Sequence, residues 1–165
     1  MRSAHSAVLG ISLLGVLFGC LAHLLSYFGY FLDTHLLYFK SAFAIVILMI
    51  IVNKKASGFG ASEILGRIMS FKWTRDVPFG VLLSFVLIMI YNMVVANLRI
   101  PTFGLPVILD DKFYMQLDGQ LVKSISLGEY QHLMGNKVRA DSAVPHMVFT
   151  LAFMILYLSK KLGKV

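Results

Sequence analysis

The chain has 165 residues, of which 58% are hydrophobic and only 14% charged, with a mean hydropathy of +0.80. A soluble domain carries roughly 25% charged residues, so this composition excludes an ordinary water-soluble enzyme. The net charge of +7 would suggest nucleic acid in a soluble protein. Here most of the excess sits beside apolar stretches, the pattern of membrane topology and anionic lipid rather than DNA. The single cysteine, Cys20, excludes an internal disulfide and a Cys-based zinc finger.

Four stretches are free of Lys, Arg, Asp and Glu, and they predict four transmembrane helices at about 7–31, 36–53, 77–98 and 142–159. A bilayer core needs about 20 apolar helical residues. The first and third stretches meet that length directly. The second meets it only with Leu36 to Phe39 included, so that Lys40 snorkels to the headgroups. Within the first, Leu17-Phe18-Gly19-Cys20 resembles the cleavage box of a bacterial lipoprotein. The bulky Phe18 and the apolar run from Leu21 to Phe31 favour an uncut helix instead.

The connecting segments set the orientation. Arg2 precedes the first span, and the turn around Asp33 is acidic. The loop from Lys54 to Asp76 sets Lys54, Lys55, Arg67, Lys72 and Arg75 against Glu63 and Asp76. The segment from Arg99 to Asp141 is balanced, and the tail carries Lys160, Lys161 and Lys164. Positive-inside therefore places both termini and the middle loop in the cytoplasm and residues 99–141 outside. With no separate cleavable signal and no glycosylation sequon, a bacterial-type inner membrane is expected. Residues 62–72 read as an interfacial helix with Ile64, Leu65, Ile68, Met69 and Phe71 on one side. Trp73 follows as its anchor, beside the basic anchors Lys54, Lys55, Lys160 and Lys161. Asp76 is placed to cap span three, with Pro78 in its first turn.

Span one carries a stripe of Gly15, Gly19, Ala22, His23, Ser26 and Tyr30 at helical spacing. Small residues let a second helix approach, and hydroxyl or imidazole groups then bond across it. The stripe serves packing within the bundle or, alternatively, homodimerisation. Ser84, Tyr91 and Asn92 give span three a polar stripe that could face His23. An intramembrane histidine is also a functional candidate. A haem would need a second axial ligand, for which only His146 is conceivable, and it lies about two turns too shallow. No carboxylate lies inside a span, which argues against a proton relay and an ion-coupled transporter.

The outer segment predicts local structure of its own. Pro101 and Pro106 frame an extended exit from span three. Lys112 to Leu117 and Gln120 to Ile125 flank Asp118-Gly119, a type I′ hairpin signal. A two-residue loop would pair Met115 with Val122 and Phe113 with Ser124, placing Phe113, Met115, Leu117 and Val122 on one face. Ser126 and Glu129 form a capping box opening a short helix that Gly135 ends. The expected architecture is thus an all-α four-helix membrane bundle with a small extracytoplasmic ββα cap. Such a cap docks on its own bundle, or offers an open strand edge to another protein.

Asp110, Asp111, Glu129, His132, Asp141 and His146 could serve as acids, bases or ligands. No GxSxG, HExxH or Gly-rich phosphate loop accompanies them, so a catalytic role is not expected. No cofactor or metal is expected either. Partners beyond the bilayer are another membrane or extracytoplasmic protein, or a second copy of the chain. In topology and size the chain resembles the larger immunity proteins against pore-forming colicins, which implies interception of a toxin's hydrophobic helices at the inner membrane. That resemblance involves no residue motif. Three readings follow: an accessory or assembly subunit, which we favour; an immunity protein; and a haem-binding or transport protein using His23 and His146.

Overall fold

The computed structural model describes residues 2–31, 35–57, 77–97 and 104–161. Among them the chain forms α1 (Arg2–Tyr27), α2 (His35–Ser57), α3 (Phe79–Ala96), strands β1 (Leu105–Leu109), β2 (Lys112–Leu117) and β3 (Gln120–Ile125), and α4 (Leu127–Lys161). The expected interfacial helix at 62–72, Trp73 and Asp76 lie outside the described residues. Lys54 and Lys55 belong to α2, Lys161 closes α4, and Lys160 is exposed near that end.

Among the described residues three helical segments are long and apolar enough to cross a membrane: Ser3–Tyr27, Phe79–Ala96 and Leu127–Lys160. The apolar part of α2, Leu37–Val52, is shorter. Helix α1 starts before and stops sooner than its apolar run suggests. Gly29 adopts a left-handed φ of +80°, and the Tyr30 and Phe28 amides both donate to the Leu25 carbonyl. This Schellman-type ending closes the helix at Tyr27 rather than Phe31. At the start of α3 the capping position is Pro78, whose side chain makes no capping bond. Its carbonyl instead accepts from the Val81 and Leu82 amides.

Helix α4 packs against each of α1, α2 and α3. One buried cluster joins Val8 and Val16 of α1, Tyr38, Ala42 and Ile45 of α2, and Phe149, Ala152 and Leu156 of α4. A second sets Val77 at the entry to α3, with Val81, Leu82 and Phe85, against Met154 and Leu158. At 35 residues and ~1.5 Å per residue, α4 exceeds the ~30 Å thickness of a bilayer core. Its first turns carry the polar residues Glu129, Gln131, His132, Asn136 and Lys137.

That length corrects the expected break between a short cap helix and a fourth span. Gly135 does not stop the helix, which runs on through Pro145 to Lys161. A Cβ at Gly135 would lie 2.9 Å from the Ser26 carbonyl oxygen. The missing side chain lets α1 and α4 touch backbone to side. Close approach, not helix termination, accounts for this glycine.

The hairpin appears where its turn chemistry places it, with Asp118 and Gly119 at φ of 51° and 82°. The expected two strands are three. β1 pairs antiparallel with β2 through a turn at Asp110 and Asp111, both at positive φ, giving the order β1-β2-β3. Aspartate tolerates the left-handed region that a type I′ turn needs. Pro106, which lacks an amide donor, sits on the edge strand where that loss is tolerated.

The register also differs from a regular ladder. An irregularity between Met115 and Gln116 pairs Met115 with Lys123 and Phe113 with Ile125, leaving Val122 as the extra residue. One residue of shift turns the rest of β3 over. Ile125 thereby joins Met115 and Pro106 as buried side chains, while Leu117 and Val122 stay exposed. Phe113, half-buried, packs on Tyr130 of α4 at a ring separation of 5.0 Å.

The capping box at the start of α4 is present in both directions. The Glu129 amide donates to Ser126 Oγ at 3.1 Å, and the Ser126 amide donates to Glu129 Oε2 at 2.8 Å. The Ser126 amide first, and then the Ser126 hydroxyl, hold the Glu129 carboxyl below its ordinary value, with Lys123 adding to the effect. A depressed folded value means that the contribution is complete above the ordinary pKa of 4.5 and is lost as pH falls through the folded value. The protection of the amides from Leu127 to Tyr130, measured against their intrinsic exchange rates, should therefore fall only on acidification below that range. Glu129→Gln should keep the cap and remove the acid step; an unchanged step would assign it to another group.

Candidate functional site

Polar side chains inside an apolar bundle have few partners, so their arrangement shows what the interior is built to hold. His5, Ser12 and Thr150 are buried separately, while His23, Ser26, Arg139, Ser142 and His146 gather where α1, α3 and α4 meet, towards the end that carries the sheet. His23 is buried and bonded on both ring nitrogens: Nδ1 lies 3.0 Å from the Tyr91 hydroxyl and Nε2 lies 2.8 Å from Ser142 Oγ. Ser142 donates its own proton to the Val138 carbonyl at 2.5 Å. Its oxygen must then accept from His23 Nε2–H, leaving Nδ1 to accept from Tyr91. In a neutral imidazole that donor count puts the single proton on Nε2.

The network continues on both sides of His23. Its backbone carbonyl accepts from Ser26 Oγ at 2.7 Å, and Ser26 Oγ in turn accepts from Arg139 Nη1 at 3.0 Å. On the other side the His146 ring stands edge-on to His23, 5.4 Å between centroids. His146 Nε2 lies 3.6 Å from Cys20 Sγ. Beside these groups a cavity of about 370 Å³ is lined by Cys20, His23, Tyr91 and His146 together with apolar side chains from α1 and α3.

Several expected residues fall elsewhere. Asn92 is buried but donates to its own helix, at the Ile88 carbonyl, and Ser84 is exposed beside a different cavity. Of span three's polar stripe only Tyr91 reaches His23. The glycine pair is a contact surface within the chain. A Cβ on Gly15 would fall 2.2 Å from the Phe149 ring, and one on Gly19 would fall 2.5 Å from the Tyr38 hydroxyl and 2.7 Å from the His146 ring. Tyr38 meanwhile donates to the Gly15 carbonyl at 2.8 Å and stacks on Phe149. Gly15 and Gly19 thus let α1 sink onto α2 and α4 together.

The expected depth of His146 was wrong by the length of a helix ending. Because α1 stops at Tyr27, His23 lies about one turn from its end, level with His146. Yet the two imidazoles touch ring to ring, and both nitrogens of His23 are already bonded. Axial haem ligands would instead face each other across the macrocycle. Among the described residues no three His, Cys, Asp or Glu side chains converge on a point that could hold a metal. Arg139 and Ser142 were the functional positions missed. Arg139 belongs to the stretch between the expected outer helix and the expected span, Ser142 is the first residue of that span, and a continuous α4 turns both inward.

An interhelical bond in a membrane protein contributes about 0.6 kcal/mol on average and up to about 1.7. His23 makes two, so His23→Leu should cost about 1–2 kcal/mol and lower the thermal midpoint in mild detergent. Tyr91→Phe, which removes one bond and keeps the ring, should cost about half as much. Wild-type stability of His23→Leu would show that the network does not hold the helices together.

No family model, no curated protein and no solved structure matches this chain.

Proposed function

We propose that this chain is a small non-catalytic integral membrane protein that works as an accessory or assembly subunit. On this reading four helices cross an inner membrane, both termini are cytoplasmic, and the sheet lies on the extracytoplasmic side. The polar interior knits the helices together, and contact with another protein takes place on the sheet.

The observation that carries the reading is the second face of that sheet. The pairing registers set Leu105, Val107 and Leu109 of β1 on one face with Tyr114 of β2 and Leu121 of β3, bordered by Lys112, Gln116 and Ser124. On the opposite face the chain buries Pro106, Met115 and Ile125, while Ile108 and Leu117 at its margins stay exposed. On the first face Leu105, Leu109 and Leu121 remain 47%, 49% and 45% exposed. An apolar face left open at the end of a bundle marks a contact surface. Strands β1 and β3 also leave open edges that can accept another strand.

A photoreactive amino acid at Leu109 or Leu121 tests this in native membranes, with one at Phe43, exposed on α2, as the comparison. Leu109 and Leu121 should yield the same discrete protein adduct, and Phe43 should yield lipid. An adduct with a pore-forming toxin would place the protein among immunity proteins, a special case of the same reading. Lipid adducts from all three sites would reject the accessory role.

A further inference from the structure

We propose that the cavity between the C-terminal end of α1 and the first turns of α4 is a phosphate-binding site built around Arg139. The cavity measures about 330 Å³ and is lined by Ser26, Tyr27, Gly29, Gln131, His132 and Arg139, among others. Arg139 is only 5% exposed. Its guanidinium is fixed on three sides: Nη1 donates to Ser26 Oγ at 3.0 Å, Nη2 donates to Asn136 Oδ1 at 2.5 Å, and the Tyr27 ring lies 4.0 Å from Cζ. Its Nε is buried without a hydrogen-bond partner.

All of these partners are neutral, and among the described residues no carboxylate lies within ion-pair distance of Arg139. A buried guanidinium with no counter-charge is costly. The C-terminal end of α1 beside it supplies a partial charge of only about −0.5. The remaining positive charge calls for an anion. Guanidinium forks bind phosphate oxygens well, and Gln131 and His132, both exposed at the rim, add polar groups at the mouth. Gly135 keeps the approach open, since its missing Cβ would lie 3.4 Å from Arg139 Nη1.

The exposed rings of Tyr27, Phe28 and Tyr30 surround this end of α1, as aromatic side chains do at headgroup level. A lipid phosphate therefore reaches the cavity if the membrane placement proposed above holds. Free phosphate reaches it in either case. The site itself stands on the Arg139 geometry, and the two sources are separable.

The test uses the full chain, purified in a phosphate-free maltoside detergent and followed by thermal unfolding. Added phosphatidylglycerol is compared with diacylglycerol, which lacks the phosphate, and with inorganic phosphate. Phosphatidylglycerol should raise the midpoint saturably and diacylglycerol should not. A matching rise with inorganic phosphate assigns the site to free phosphate, and a rise with the lipid alone assigns it to a headgroup. Arg139→Gln should lose the rise. Because that variant removes a buried group and can fail to fold, Gln131→Leu at the exposed rim is the second probe. It should fold as wild type and bind at least about fivefold more weakly. The proposal is overturned if neither phosphate source shifts the wild-type midpoint, or if Gln131→Leu and any folded Arg139→Gln respond as wild type does.

Discussion

Gly15→Leu should disrupt the bundle more than any other single change to its helices, costing about 3 kcal/mol, the upper end of what overpacking costs. The Cβ alone would fall inside the Phe149 ring, within 2.5 Å of three of its carbons. That ring cannot step aside, because it is stacked on Tyr38 at 5.3 Å and is itself 3% exposed. Moving α1 away would in turn break the bond from the Tyr38 hydroxyl to the Gly15 carbonyl. Gly10→Leu is the natural comparison, since nothing lies within 4 Å of its Cβ position. It should be neutral or slightly stabilising, because leucine favours helix over glycine by somewhat under ~1 kcal/mol. Equal thermal midpoints for the two variants in detergent would mean that α1 does not sit on α2 and α4 as described.

The second large effect is expected in the sheet. Met115 is 5% exposed, between Pro106 of β1 and the first turns of α4. Met115→Asp would bury a carboxylate among Pro106 and Ile125, with the exposed Lys123 across the strand compensating only part of its lost solvation, at a cost of about 2 kcal/mol. The bundle should survive while the sheet opens, so limited proteolysis should cut between residues 104 and 126 in this variant alone. Leu121→Asp, on the open face, should leave protease resistance unchanged. Resistance in Met115→Asp would show that this face of the sheet is not packed.

These two changes also divide what was legible in the sequence from what was not. Composition and the absence of charge showed the apolar helices directly. The hairpin was readable because Asp118-Gly119 has few other uses between alternating residues, and the capping box because Ser126 and Glu129 stand at the right interval. β1 was missed although its signal was present. Asp110-Asp111 is a turn pair, but without glycine it does not announce the left-handed conformation that both residues adopt. The continuity of α4 was missed for a related reason. Gly135 and Pro145 are both helix-ending residues in isolation, and only tertiary contact shows that Gly135 serves the approach of Ser26.

The polar centre was half visible. His23 stood out as an ionisable residue in an apolar run, and Tyr91 was among its expected neighbours. Its second partner, Ser142, was not singled out, because it stood as the first residue of the expected fourth span, with no preceding helical turn to fix which way it faced. The bulge in β3 lies beyond sequence reasoning of this kind altogether. Lys123 and Ile125 exchange faces with Ser124 through a single unpaired residue, and only the burial of Ile125 reveals it. The open apolar face of the sheet, on which the functional reading rests, depends on that bulge and on β1.

The orientation of the chain in a membrane is the claim from which the contact surface and its partner follow. It can be measured with single cysteines in a Cys20→Ala background, using a membrane-impermeant maleimide on spheroplasts. Asp118→Cys, at the exposed tip of the hairpin, should be labelled in intact spheroplasts. Gly163→Cys, in the basic tail, should be labelled only after lysis. The opposite pattern, or labelling of both sites before lysis, would contradict a bundle with cytoplasmic ends and an outward-facing sheet.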